Sequence, residues 1–212
     1  MPGEKTQMTQ SALSKRATVI AIILGLLFAL PMTELILHVT YNNSGITNGP
    51  WSTHPKAGSV DNSAIIRAAI ARYAIGSNLI EEAIYWHAAT DSEGKSLQSS
   101  QDYVVHFRDE PDVSEFWSLT LYDDEDRLAQ NPAEHYSVSN RMPLVKNSDG
   151  SFDIVISQKS PGTGINWLSA PPKGRFTLLM RYYGASNDVL RNLETTQLPG
   201  IVLAPTKQEA TQ

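Results

Sequence analysis

Apolar and polar residues alternate with a period of two between Phe116 and Asp123, in the sequence Phe-Trp-Ser-Leu-Thr-Leu-Tyr-Asp. Two sets of side chains result, an apolar one at Trp117, Leu119 and Leu121 and a polar one at Ser118, Thr120 and Tyr122. This pattern is typical of a strand with one face in a hydrophobic core. Four acidic residues, 123–126, end it abruptly. We therefore predict a central strand over 116–123.

The same alternation recurs in other short segments, at 83–89, 101–108, 151–158 and 175–183. Residues that favour turns separate these segments, among them Asp91-Ser-Glu-Gly and Asn147-Ser-Asp-Gly150. Several short strands at such spacing predict an antiparallel β-sandwich or barrel. Two long loops, 124–150 and 159–173, are the expected positions of binding residues, because loops on a rigid sheet usually carry function.

A helical period precedes the strands. The apolar stripe consists of Ile66, Ala69, Ile70 and Tyr73. Either Asp61 or Ser63 is placed to cap the start of this helix, and Gly76 is placed to end it. Before it, residues 41–60 are rich in turn formers and predict a linker in which Trp51 docks onto the folded part. A short helix is expected after Ser186.

The N-terminal region contains a long apolar run. From Ala17 to Met32 every residue except Thr18 is apolar or proline, and after a two-residue polar break the apolar character resumes as far as Val39. A membrane-spanning helix needs about 17–25 such residues. Basic residues precede the run and are absent between Arg16 and Lys56. The positive-inside rule then places the N-terminus in the cytoplasm.

Three interpretations of this run compete. A cleaved signal peptide needs small residues at its cleavage site, and no convincing pattern of this kind occurs near residues 29–33. A buried core helix would have a polar face, which the run lacks. An uncleaved anchor is therefore favoured. The predicted organisation is a cytoplasmic N-terminus (1–16), an anchor (17–39), a linker and lead-in (40–60), a sandwich domain (61–198) and a flexible tail (199–212).

Composition narrows the partners and the chemistry. The formal net charge is −5 and no basic stripe is present, which argues against nucleic acid as a partner. The chain has no cysteine, so disulfides and thiolate sites are absent. Its five histidines form no His-x-His pair, and we predict neither a metal site nor a cofactor. His87 and His106 lie on different predicted strands and could face each other across a sheet. No Gly-x-Ser-x-Gly nucleophile elbow is present.

A series of short motifs follows a distinctive order along the chain: Asn48-Gly-Pro-Trp51, Arg67-Ala-Ala69, Glu82-Ala-Ile-Tyr85, Phe116–Asp123, Asn131-Pro132, Tyr136-Ser137, Asp149-Gly-Ser151, Asn166-Trp-Leu168 and Phe176…Arg181-Tyr-Tyr183. In this order the motifs resemble the bacterial domain of unknown function family 1214. The resemblance covers roughly residues 46–184 and is closest to the short, membrane-anchored, single-domain members. It implies a mainly β, jelly-roll-like sandwich with a helical lead-in, and it implies no agreed activity.

Six polar or aromatic side chains stand where apolar ones would suffice, and they are the candidate ligand-binding residues: Asp123, Asn131, Tyr136, Asn166, Trp167 and Arg181. If the central and last strands are neighbours, we expect Asp123 to pair with Arg181, because a buried arginine normally needs a carboxylate. This polar set either pins the loops to the sandwich or lines a pocket for a polar ligand.

Two functions follow from these observations. The first is a non-catalytic protein of the bacterial inner membrane, whose periplasmic or extracytoplasmic jelly-roll domain binds a carbohydrate-like ligand or a protein partner. The second is a hydrolase acting on an envelope glycan or ester, with Asp123 as base and Arg181 as electrostatic stabiliser. The sequence does not predict an oligomeric state or decide whether the chain is an enzyme.

Overall fold

The computed structural model describes the backbone of residues 3–131 and 133–205, with side chains from Lys15 onward. The first element is helix α1, Gly3–Ser44, which continues through Pro31. Within its segment Lys15–Ser44, the most apolar 18-residue window has a mean hydropathy of 2.4, and that window is not buried against the rest of the protein. Length and composition therefore suffice to cross a membrane, a test that a signal sequence also passes. The core-helix interpretation is wrong, because the side chains of the apolar run are exposed.

Within the described residues, the strands form two sheets. The large sheet has the spatial order β1 (Ile46–Asn48), β2 (Trp51–Thr53), β3 (Ala83–Ala88), β9 (Phe176–Ala185), β5 (Val113–Asp123) and β6 (Ser137–Ser139). The small sheet has the order β10 (Gly200–Leu203), β4 (Tyr103–Phe107), β7 (Phe152–Ser157) and β8 (Trp167–Ser169). All pairs are antiparallel except β7 with β8.

The core lies between the two sheets. Trp117 of β5 stacks on Phe107 of β4 and Phe152 of β7, with ring centroids 5.1 and 5.7 Å apart. Trp117, Leu119 and Leu121 are all buried, which confirms the apolar face predicted for the central strand. The mainly β, two-sheet class is also confirmed. The jelly-roll order is not confirmed, because the sheets contain six and four strands and one pair is parallel.

Two helices follow the predicted positions. Helix α2, Ala64–Tyr73, is capped by Ser63, whose side chain accepts a hydrogen bond from the amide of Ile66. The helix ends at Tyr73 with Ala74 as its C-cap, and Gly76, at φ +82°, follows two residues after this cap and does not itself end the helix. The short helix α3, Asn187–Arg191, follows Ser186.

Two segments predicted to lie outside the sandwich belong to it. The lead-in contains β1 and β2, and Trp51 is fully buried, which confirms its docking. Gly58 also packs so closely on the backbone of Asn78 that a side chain would clash. Residues 200–203 form β10, where Ile201 is buried opposite Val105. The prediction of a flexible tail is therefore wrong for residues 200–203, because the side chain of Ile201 completes the core. Residues 206–212 lie outside the described residues.

The end of α1 contacts α2. The hydroxyl of Tyr73 donates to the carboxylate of Glu34 at 2.7 Å, and Arg72 pairs with the same carboxylate at 3.3 Å. The His38 ring meets the edge of Tyr73 at 5.7 Å. Helix α1 and the domain are thus joined by polar and aromatic contacts in the last turns of the predicted anchor.

Candidate ligand-binding groove

The outer face of the large sheet, turned away from the core, carries mixed polar and aromatic side chains. On β9, alternate residues Leu178, Met180 and Tyr182 are buried in the core. The residues between them are half-buried and lie on the opposite face: Thr177, Leu179, Arg181 and Tyr183. On β3, Tyr85 and His87 lie on this same outer face. The period of two thus gives the sheet one apolar face and one mixed face.

A groove of ≈ 730 Å³ lies over this outer face. Its floor comes from β3, β9 and Tyr122 of β5, and the rest of its lining comes from the end of α1, from β2 and the residues just after it, from the end of α2 and the residues after it, and from Asp126. A volume of this size accommodates a small organic molecule or a short saccharide. The end of α1, helix α2 and the segments beside them form the groove together with the large sheet, so neither the helices nor the sheet would create it alone.

Tyrosine is concentrated in the groove. Of the eight tyrosines in the chain, five line it, namely Tyr41, Tyr73, Tyr85, Tyr122 and Tyr183. The imidazole of His54 stacks on Tyr41 with ring centroids 3.8 Å apart. The hydroxyl of Tyr85 donates to the side-chain oxygen of Asn78 at 2.6 Å. Rings with a polar edge provide both stacking surface and hydrogen bonds for a ligand.

Arg181 is the charged group on the groove floor. Its guanidinium donates to the hydroxyl of Thr120 at 2.9 Å and to that of Tyr122 at 2.6 Å. Among the described side chains no carboxylate lies within salt-bridge distance of it. A guanidinium has five N–H donors, and two hydroxyl partners leave donors for a bound molecule. Arg181 is therefore the predicted site residue that the structure places in the groove.

The two histidines that line the groove add no positive charge to it at pH 7. Burial lowers the pKa of His87, and the nearby carboxylate of Asp126 opposes that shift. Burial also lowers the pKa of His54, and the proximity of His87 lowers it further. Both imidazoles are therefore neutral at pH 7, because the ordinary pKa of histidine is about 6.5. His87 thus lies near His54 and not opposite His106, which sits on the other sheet beside Asp153 at 2.7 Å.

Stability should depend on pH through these two histidines. Because the folded pKa values lie below those of the unfolded chain, the unfolded chain binds more protons as the pH falls below about 6.5. We expect the melting temperature of the parent to fall between pH 7.5 and 5.5, and to fall less in the variant that combines His54→Gln with His87→Gln. Thermal unfolding at the two pH values measures this difference. An equal fall of the melting temperature in the parent and the double variant would contradict the burial of His54 and His87.

Asp123 does not pair with Arg181. In the antiparallel register Asp123 lies opposite Phe176 and Arg181 lies opposite Ser118, five residues apart along each strand. That separation is about 17 Å. The Asp123 carboxylate instead accepts hydrogen bonds from the amides of Glu125 and Arg127 at 2.9 and 3.0 Å. The amide of Arg127 is the main cause of its lowered pKa. Asp123 therefore closes the turn after β5.

Asn131 and Tyr136 lie away from the groove. The buried Asn131 amide donates to the carbonyls of Ala129 and His135 and accepts from the amide of His135. The backbone carbonyl of Tyr136 accepts from Leu121, so this residue extends the pairing of β5 with its loop. Asn131 thus holds the loop in shape.

Asn166 and Trp167 connect the two long loops. The Asn166 amide exchanges two hydrogen bonds of 2.8 Å with the backbone of Val145 and donates to the carbonyl of Asp153 at 2.9 Å. The Trp167 indole donates to Ser157, and its ring lies 5.4 Å from that of His135. The two long loops meet here, with His135 next to Trp167. These side chains are occupied by internal contacts.

Sequence reasoning missed most of the groove. Tyr41, His54 and Asp126 lie in segments interpreted as linker or loop, and only the fold brings them to the outer face of the sheet. One signal in the sequence could have indicated the groove. Tyr85 and His87 share a strand face that would be apolar if both faces of that strand were buried. Within the described residues no group of three or more His, Asp or Glu side chains is arranged to hold a metal ion.

The chain belongs to the family described as Protein of unknown function (DUF1214), whose model matches residues 82–187. This match covers the sandwich from the start of β3 to the start of α3. It includes the groove floor on β3, β5 and β9, whereas the lead-in part of the groove lies outside the matched residues.

One solved structure, with a TM-score above 0.5, supports the same fold, and a second shows a weaker likeness. A crystal structure of the VPA0106 protein from Vibrio parahaemolyticus is 33% identical over 68% of this chain, with a TM-score of 0.58. A crystal structure of an uncharacterised protein from Burkholderia cenocepacia is 20% identical over 68% of the chain, with a TM-score of 0.45. The chain spans 36% and 34% of the lengths of these two proteins. A comparison with curated proteins gives no match.

Proposed function

We propose that this chain is a membrane-anchored protein of the bacterial envelope whose extracytoplasmic domain binds a carbohydrate-like ligand in the groove. Helix α1 is the anchor in the inner membrane. The basic residues before its apolar run favour a cytoplasmic N-terminus, and the domain after it then lies on the periplasmic side. The observation that carries this proposal is the groove itself, which is lined by five tyrosines and Arg181.

The character of the groove suits a sugar. Tyrosine rings stack on the apolar faces of a pyranose, and Arg181, Asn78 and the tyrosine hydroxyls offer hydrogen bonds to its hydroxyl groups. Two neutral imidazoles add polar edges without adding charge. The floor of the groove is part of the large sheet, so the ligand would meet a surface that is ordered before binding.

A binding screen tests this proposal on the full chain, because Tyr41 and Asn42 of α1 line the groove. The protein is kept in a detergent whose headgroup is not a sugar, so that the detergent does not compete. Melting temperatures are measured against monosaccharides and short envelope oligosaccharides. A ligand that binds only the folded state adds about 2–3 kcal/mol to the free energy of unfolding when its concentration is a hundred times its Kd. The melting temperature rises accordingly.

Matched arginine variants locate the site. Arg181→Gln changes the groove floor, whereas Arg175→Gln makes the same change at an exposed position outside the groove. We expect the first to abolish the ligand-induced shift and the second to preserve it. Tyr85→Leu provides an independent groove variant if Arg181→Gln unfolds. Equal ligand-induced shifts of the melting temperature in Arg181→Gln, Arg175→Gln and Tyr85→Leu would exclude the groove as the binding site. If no saccharide raises the melting temperature of the parent, a protein partner is favoured. Release of cleaved product would instead identify a hydrolase.

A further inference from the structure

The contact between α1 and α2 relates the groove to the membrane surface. A hydrocarbon core of about 30 Å takes roughly 20 helical residues, so a span that starts at Ala17 ends near residue 36. Glu34 lies in this last turn and binds both Arg72 and Tyr73 of α2. When α1 spans a bilayer, the end of α2 therefore lies at the boundary between the hydrocarbon and the headgroups.

The groove begins at the same level. Tyr41, which lines it, follows Glu34 by seven residues, or about 10 Å along the helix. The polar headgroup layer occupies roughly 5–8 Å on each side of the hydrocarbon core. Tyr73 lines the groove and contacts Glu34, so the groove extends from the boundary outward through the headgroup layer. Tyrosine is enriched at this depth in membrane proteins.

The rim of the groove carries an apolar residue without a protein contact to cover it. Ile75 follows α2 directly, lines the groove and is 87% exposed. Val60, just before α2, is 83% exposed. Side chains this apolar gain free energy when lipid covers them. The groove interior, unlike this rim, carries the polar groups of Tyr85, His87 and Arg181 beside apolar side chains.

We propose that the ligand is the sugar headgroup of a glycolipid in the same membrane as α1, bound with its acyl chains passing Ile75 into the bilayer. This inference rests on the proposed function and adds the source of the ligand. The tyrosines and Arg181 hold the sugar, and the apolar rim lies against the lipid. Confinement of the ligand to the membrane raises its effective concentration at the groove.

The position of the rim is tested without any ligand. Because the chain has no cysteine, a nitroxide label attaches to one introduced site only. Full-length Ile75→Cys is labelled in phosphatidylcholine nanodiscs, and Ile165→Cys is the control, since Ile165 is 43% exposed in a loop away from the groove. We expect the label at 75 to collide more with oxygen, which enriches in lipid, than with a water-soluble nickel chelate. The label at 165 should show the reverse. Equal water exposure at both sites would overturn the inference.

The source of the ligand is tested next. Full-length protein is placed in nanodiscs of phosphatidylcholine with or without diglucosyl-diacylglycerol, or in plain discs with the free disaccharide. We expect an apparent affinity for the glycolipid that is roughly tenfold or more above that for the free sugar. Ile75→Ser should reduce this difference, and Ile165→Ser should preserve it. Binding of the disaccharide with equal affinity would overturn the membrane source and leave the proposed sugar site intact. Absence of binding by both would contradict the two proposals together.

Discussion

Trp51→Ala should lower the free energy of unfolding by about 3–5 kcal/mol, the usual effect of truncating a fully buried tryptophan. Trp51 belongs to the three-residue strand β2 and has no exposed surface. Its indole N–H donates to the carbonyl of Pro199 at 2.8 Å. The substitution leaves a large cavity and removes the partner of that carbonyl, so both the lead-in and the start of β10 lose support.

Urea unfolding of a fragment that begins at Tyr41, followed by circular dichroism, measures this loss. Trp167→Ala is the control, because Trp167 is half-buried and its indole N–H also donates within the protein, to the carbonyl and hydroxyl oxygens of Ser157. We expect the control to cost less, since less apolar surface leaves the core. A Trp51→Ala variant as stable as the control would show that the lead-in contributes little to the fold.

Asn166→Ala should destabilise the chain by about 1–3 kcal/mol, because three hydrogen bonds of its amide are lost at a partly exposed site. These bonds hold Val145 and Asp153 to the loop before β8. Once they are lost, the segment around Lys146 should separate from the small sheet. Trypsin should then cleave after Lys146 faster than in the parent, with cleavage after Lys95 in its exposed turn as the internal standard.

Asn166→Asp is the matched control for shape. It keeps the size and one acceptor of the side chain but loses both donors and brings a charge near two carbonyl groups. We expect it to be at least as unstable as Asn166→Ala. If both variants keep the stability of the parent and lose saccharide binding, Asn166 belongs to the ligand-binding site and not to the support of the fold. Unchanged saccharide binding in a destabilised variant would assign it to the fold.

The difference between the two groups of polar residues has a physical basis. Asn131, Asn166 and Asp123 use their oxygen and nitrogen atoms on nearby backbone groups, so they have little left for a ligand. Arg181 donates hydrogen bonds to two neutral hydroxyl groups and borders an open groove. Both groups look alike as residue types in a sequence. Their partners distinguish them, and the partners depend on strand register.

The local pattern determined the long elements. Alternation over eleven residues or fewer was enough to identify β5 and its buried face, and it also located β3, β4, β7 and β9. Capping residues located α2 and α3, because Ser63 and Ser186 satisfy amides at the helix starts whatever the tertiary structure. The apolar run at the N-terminus determined a helix of membrane-spanning length.

Only the tertiary structure decided the short strands, the pairing and the groove. Strands of three or four residues, such as β1, β2, β6, β8 and β10, are too short to show a period and form because a neighbouring strand supplies their hydrogen bonds. The register that separates Asp123 from Arg181 is set by the packing of β5 against β9 over many residues. The groove combines residues from α1 to β9, far apart in the chain, and local sequence carries no information about which distant segments will share a surface.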